Sequence, residues 1–163
     1  MNGNVLTVER TIASPTEPIF NLVADAARHP EIDGSGAVKR VKSTSPERLR
    51  LGTTFGMAME AGFKYSMVNT VIEFQENRLI AWQTKAPGAV GRLVAGRIWR
   101  YELEPVEGGT RVRESWDVSR DRQRFFLKLF GLPAKTRGNM TRTLERIEQL
   151  VQAPPGVRAP ESV

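Results

Sequence analysis

The sequence predicts an α+β fold: a curved antiparallel sheet of six to seven strands wrapped on a long C-terminal helix, with two short helices after the first strand. Two observations carry this. Near the C-terminus, Met140, Leu144, Ile147 and Val151 recur at spacings of four, three and four, the period of one helical face. Before it, apolar and polar residues alternate in short runs parted by turn residues, the period of strands. Strands joined by tight turns pair antiparallel. A long sheet with one apolar face curls around what it buries, and the helical stripe is there to be buried.

Val5 to Ile12 reads as the first strand, with Val8, Arg10 and Ile12 on one face. Ser14 offers an N-cap, with Pro15 at the first helical position and Glu17 three residues after the cap. Ile19, Phe20 and Val23 give a short helix its apolar face. It is expected to end near Ala27, with Pro30 as a stop. His29 to Gly36 carries turn chemistry, a proline followed by Asp33-Gly34 and a second glycine. Val38 to Ser43 and Arg48 to Leu51 predict a hairpin around Ser45-Pro46-Glu47.

Thr53 to Ala61 alternates most cleanly, with Phe55, Met57, Met59 and Ala61 together. Lys64 to Phe74 is a long strand with Tyr65, Met67, Asn69 and Val71 on one face. Arg78 to Lys85 follows with Ile80, Trp82 and Thr84, and Gly96 to Glu104 with Trp99, Tyr101 and Leu103. A tight turn at Gly108-Gly109 leads to Arg111 to Ser119, where Val112, Glu114, Trp116 and Val118 align. Upstream of the helical stripe, Phe125, Phe126, Leu129, Phe130 and Leu132 add apolar bulk. Gly131-Leu132-Pro133 predicts a break in the helical segment. Residues 1–152 are expected to form one domain, and the Pro-rich stretch 153–163 a disordered tail.

At 163 residues, 40% hydrophobic and 26% charged, the composition is that of a globular protein with a sizeable core. There is no cysteine and one histidine, which excludes disulfides, thiolate chemistry and a His/Cys metal site. No cofactor is expected: no Walker-type loop, no G-x-S-x-G elbow and no dinucleotide fingerprint occurs. The start MNGNVLTVERT lacks a basic segment followed by an apolar run, and no stretch is long and apolar enough to span a membrane. The expectation is therefore a cytoplasmic protein without a signal peptide. The net charge of +6 comes from scattered arginines rather than a block, so no nucleic-acid partner is expected.

The order of these elements resembles the START-like (SRPBCC) helix-grip superfamily, which includes the birch-pollen allergen and the polyketide cyclase/dehydrase group. The resemblance rests on VERTIASPTEPIFNLVADAARHPEI, VIEFQENRLIAW, IWRYELEPVEGGTRVRESWDV and LERIEQL, and spans about Val5 to Val151. It implies a helix-grip fold with an apolar cavity between sheet and helix. Phe55, Met57, Met59, Tyr65, Met67, Trp82, Trp99, Tyr101 and Trp116 would line that cavity. Methionines suit a ligand of variable shape, and Trp and Tyr add broad contact with a polar tip.

Two charges interrupt the apolar faces, Arg10 and Glu114. A buried charge is costly unless paired. The resemblance makes the first and last strands neighbours, so the two are expected to meet as an ion pair or as polar anchors for a ligand. Asn69 would act similarly through its amide. The resemblance also places the loop of His29 at the cavity mouth. His29, with Asp33 to orient it, is the weak candidate for acid–base catalysis, against the plainer alternative of a surface histidine.

Three functions follow. One is a soluble binding protein holding a small hydrophobic ligand: a lipid, polyketide or aromatic metabolite. The second is a polyketide aromatase/cyclase or dehydrase using the same cavity. The third is a co-chaperone-like or ribosome-associated interaction module. The implied partners are a small hydrophobic ligand and, as one option for assembly, a second copy of the chain in a homodimer.

Overall fold

The computed structural model describes residues 3–42, 45–92, 94–129 and 131–153. The expected disordered tail lies almost wholly outside the described residues, as do Ser43 and Phe130. The chain runs β1 (Val5–Ile12), α1 (Thr16–Ala24), a 3-10 turn (Ala26–Arg28), α2 (His29–Ile32), β2 (Val38–Val41), β3 (Thr54–Glu60), β4 (Lys64–Gln75) and β5 (Leu79–Lys85). A second 3-10 turn (Gly88–Arg92) leads to β6 (Ala95–Val106), β7 (Gly109–Asp117), α3 (Arg124–Leu129) and α4 (Leu132–Gln152). The seven strands form one antiparallel sheet in the order β1-β7-β6-β5-β4-β3-β2. α4 lies against β1 and β7 and also touches α1, α2 and α3.

Side-chain alternation explains the packing. Met140, Leu144 and Ile147 are buried and Val151 packs at the edge of the core, as the helical period predicts. The break falls where expected: Gly131 adopts a left-handed φ of 70° and Pro133 sits in the first turn of α4, where its missing N–H has no partner to lose. In the apolar cluster upstream, Phe125, Phe126 and Leu129 are exposed, while Leu127 of α3 is buried.

Three local expectations are corrected. Ser14 does not cap α1, whose N-cap is Pro15 without a side-chain bond. The Ser14 N–H donates to the Ile12 carbonyl (2.8 Å) and its carbonyl accepts from the Thr110 hydroxyl (2.8 Å), so Ser14 joins β1 to β7. Pro30 does not stop a helix but lies in the first turn of α2. Arg48–Leu51 is not a strand, and β2 pairs with β3 instead, Val38 opposite Met59 and Val41 opposite Met57. The reason is tertiary. The Leu49 N–H donates to the Ala24 carbonyl at the end of α1 (2.7 Å), and the Leu49 side chain is fully buried in the core.

The loop after α2 is fixed directly to α4. A Cβ on Gly34 would lie 2.2 Å from the Asn139 carbonyl oxygen and 2.5 Å from the Thr143 nitrogen, so only glycine permits the contact. The Gly34 N–H donates to Thr143 Oγ1 (3.0 Å), and Arg142 Nε donates to the Gly34 carbonyl (2.9 Å). Arg146 donates to the Asp33 carbonyl.

Candidate functional site

The register sets the inner face of the sheet in rows. Phe55, Asn69, Thr84 and Arg97 stand opposite one another on β3 to β6. Val71, Trp82, Trp99, Trp116 and Leu6 form the next row, from β4 to β1. Phe74, Ile80, Tyr101, Glu114 and Val8 form the third. Three tryptophans therefore stand side by side on neighbouring strands, with the Trp99 and Trp116 ring centres 6.3 Å apart. Phe55, Met57, Met67, Trp82, Tyr101 and Trp116 are buried; Met59, Tyr65 and Trp99 are half-buried.

His29 enters this array from α2. Its ring stacks on Trp82 at 5.2 Å and meets Phe55 edge-on at 5.5 Å, while Trp82 stacks on Tyr101 at 5.6 Å. His29 is 4% exposed, so it is no surface histidine. Its Nε2–H donates to the Val23 carbonyl (2.8 Å), and burial holds its pKa below the ordinary 6.5, so the ring is neutral. Asp33 does not serve as its orienting partner. The Asp33 carboxylate accepts from Ser35 N (3.0 Å), Ser35 Oγ (2.7 Å) and Val38 N (2.8 Å), which closes the loop ahead of β2.

The expected Arg10–Glu114 pair is also corrected. Val8, not Arg10, stands opposite Glu114, and Arg10 stands opposite Val112. The Arg10 side chain reaches α4, donating from Nε to Glu148 Oε2 (2.9 Å), with Glu145 at 3.9 Å. A long side chain at 37% exposure finds its carboxylates on the helix and keeps contact with water.

Glu114, 2% exposed, has no cation partner among the described residues. Its Oε1 accepts from the Tyr101 hydroxyl (2.8 Å). Burial raises its pKa from 4.5 to about 8, against a lowering by the Tyr101 bond and with a smaller upward push from Asp33. Burial likewise pushes the Tyr101 phenol up. At neutral pH Glu114 is thus a carboxylic acid, and with Oε1 occupied by Tyr101 its proton belongs on Oε2. Oε2 is buried and has no partner. Asn69 shows the same pattern. Its Oδ1 accepts from Thr84 Oγ1 (2.7 Å), whereas its Nδ2 is buried and unpaired. Among the described residues, two buried polar atoms on the inner face, Glu114 Oε2 and Asn69 Nδ2, thus lack a partner, and the first is a donor whenever Glu114 is protonated. Such groups are rare in a folded interior because each forfeits its hydration.

Sequence reasoning missed two members of this face. Thr84 was visible on the same strand face as Trp82, but nothing in the sequence pairs it with Asn69. Arg97 shares the parity of Trp99 and Tyr101; its Nε donates to Asp121 Oδ2 (2.5 Å), and Asp121 is fully buried. Two open surface grooves lie outside the grip. One, about 420 Å³, borders Met59 and Tyr65 beside Lys39, Arg40 and Lys64 at the β2 edge. The other, about 310 Å³, runs over Leu79, Leu103, Arg78 and Arg111 near the β4–β5 and β6–β7 turns. Among the described residues, no group of three or more His, Asp or Glu side chains is placed to hold a metal, and no helix is long and apolar enough to cross a membrane.

A seven-stranded antiparallel sheet gripping a C-terminal helix, with an aromatic inner face, defines a helix-grip protein. The chain belongs to the family described as polyketide cyclase / dehydrase and lipid transport, whose model matches residues 5–152. An uncharacterised protein of Mycobacterium tuberculosis, Rv0088, is 33% identical over 108 residues, 65% of this chain and 44% of that one. The chain thus spans less than half the length of that relative. The fold is shared with protein CV1439 from Chromobacterium violaceum (TM-score 0.67, 15% identity, covering 93% of this chain and 99% of that one). It is shared too with the Aha1 dimer from Colwellia psychrerythraea (TM-score 0.63, 14% identity, 93% and 98%).

Proposed function

We propose that this chain binds a small, largely apolar ligand carrying at least one acceptor oxygen, such as a ketone, ester or polyketide carbonyl. The observation that carries the proposal is the pair of buried, unpartnered polar atoms, Glu114 Oε2 and Asn69 Nδ2, on a largely apolar face rich in aromatic rings. The two stand three strands and two rows apart, so each would take its own acceptor oxygen, and neither needs a charge in the interior. The Trp82, Trp99 and Trp116 row would supply the apolar contact. In the conformation described, His29 fills the space over Trp82. Admission of ligand therefore requires the short α2 segment to withdraw that ring. The family's description, which joins cyclase or dehydrase action with lipid transport, supports a ligand of this kind.

A second reading has its own support. A carboxylic acid with a pKa near 8, hydrogen-bonded to a tyrosine, suits a general acid at a carbonyl or departing hydroxyl. This would make the chain a cyclase or dehydrase on the same ligand. Native mass spectrometry of freshly purified protein tests the binding proposal. A co-purified small molecule is expected in the wild type and is expected to be lost in the Asn69→Ala/Glu114→Ala double variant. Apo protein in both, with no uptake of polyketide or fatty-acyl compounds on titration, rejects the proposal. Turnover of a bound ketone by wild type but not by Glu114→Gln would favour the catalytic reading. Sedimentation of the same preparation reports whether a homodimer forms.

A further inference from the structure

The end of the sheet beside α3 gathers apolar side chains that the ligand proposal does not use. Phe63 caps the β3–β4 turn, Val90 sits in the β5–β6 connection, and Phe125, Phe126 and Leu129 lie on α3; all five are between 58% and 70% exposed. The register brings these segments to one end of the fold. Glu60 pairs with Lys64, Lys85 with Ala95, and Ile98 with Asp117, so all three connections leave the sheet in the same direction. Two of them, the β5–β6 connection and the segment after β7, also touch. A Cβ on Gly96 would lie 2.1 Å from the Arg120 carbonyl oxygen, and Arg122 donates to the Arg92 carbonyl (3.4 Å). Phe63 packs on Tyr65 (5.2 Å between ring centres).

The charged residues on these segments are mostly of one sign. Lys64, Lys85, Arg92, Arg120, Arg122 and Arg124 are exposed. Two of the three nearby acids are turned to internal partners: Asp117 accepts from Ser119 N (2.7 Å), and Asp121 binds Arg97. The third is Glu60, at the end of β3. Exposed apolar tips ringed by lysine and arginine fit an interface between water and anionic headgroups, where the tips enter the acyl boundary and the cations meet phosphate or carboxylate. A second copy of the chain would bring the same six cations face to face.

We propose that this end of the molecule, Phe63, Val90 and the outer face of α3 with their ring of basic side chains, docks on the surface of an anionic lipid bilayer. Docking is independent of the ligand site, since vesicle binding does not require the inner face to open. The test is co-sedimentation of the full chain with two kinds of vesicle, phosphatidylcholine alone and phosphatidylcholine mixed with phosphatidylserine. Binding is expected to the anionic vesicles, weakened by salt. Phe125→Ser/Phe126→Ser and, separately, Arg122→Glu/Arg124→Glu are each expected to reduce it by about tenfold or more. These side chains are exposed, and an unchanged melting curve confirms that each variant is folded. No binding, equal binding to both vesicles, or binding unaffected by either double variant overturns the proposal. So does self-association abolished by Phe125→Ser/Phe126→Ser when vesicles are not bound, because the patch would then be an interface between copies.

Discussion

Glu114 holds a proton in the fold that it would lose in the unfolded chain at neutral pH. Its folded pKa, about 8, lies above the unfolded value near 4.5. Between those values the native state binds more protons than the unfolded one. Stability contributed by this group is therefore complete below about pH 4.5, falls as pH rises, and stops falling above about pH 8. Glu114→Gln keeps the shape and a donor while removing the titration, so it is expected to flatten the decline in melting temperature across that window. An unchanged slope would mean that Glu114 is charged in the fold. His29 acts at the other side: its lowered pKa makes the native state lose stability as pH falls through and below the ordinary histidine range. Arg10 needs a different test. A double-mutant cycle with Glu148 is expected to show a coupling of about 0.5–1 kcal/mol, modest because the pair is partly exposed. The cycle with Glu114 is expected to show none.

At the scale of elements, periodicity was a good guide and termini were not. The α4 stripe and the alternation in β3, β5, β6 and β7 follow from local geometry, which a sequence displays directly. Ser14 and Arg48–Leu51 were misplaced because distant groups decide their roles: Thr110 takes the Ser14 carbonyl, and Ala24 takes the Leu49 N–H. Pro30 was misread for a local reason, since a proline suits the first turn of a helix as well as its end. Gly34 read as a turn residue, yet its larger task is to let the loop lie on α4. Gly34→Ala should therefore cost about 2 kcal/mol or more, because the new Cβ overlaps helix backbone that cannot yield locally. Leu144→Ala should cost roughly 2–5 kcal/mol, the usual price of a truncated core leucine. Denaturant titration checks both. A loss below about half a kcal/mol in either would contradict the packing of α4 described above.

At the scale of the whole molecule, the candidate site was legible as a face but not as a set of partners. Parity along each strand placed Tyr101, Trp82, Trp99, Trp116, Asn69 and Glu114 on the side that faces the helix. It gave no offset between strands, and a shift of two residues along β1 is what separates Arg10 from Glu114. Nor does parity say what fills the space above a face, so the burial of His29 against Trp82 was hidden in a segment that looked like a surface turn. On the proposed function, the neutral Glu114 acid donates a hydrogen bond to the ligand. The most direct measurement is the affinity for an apolar fluorescent ketone, followed by tryptophan quenching across pH. Wild type is expected to bind uniformly below about pH 8 and progressively more weakly above it, as Glu114 loses the donated proton. Glu114→Gln is expected to bind with no such dependence. Binding equal in wild type and Glu114→Ala at every pH, or no saturable binding at any pH, would contradict the claim.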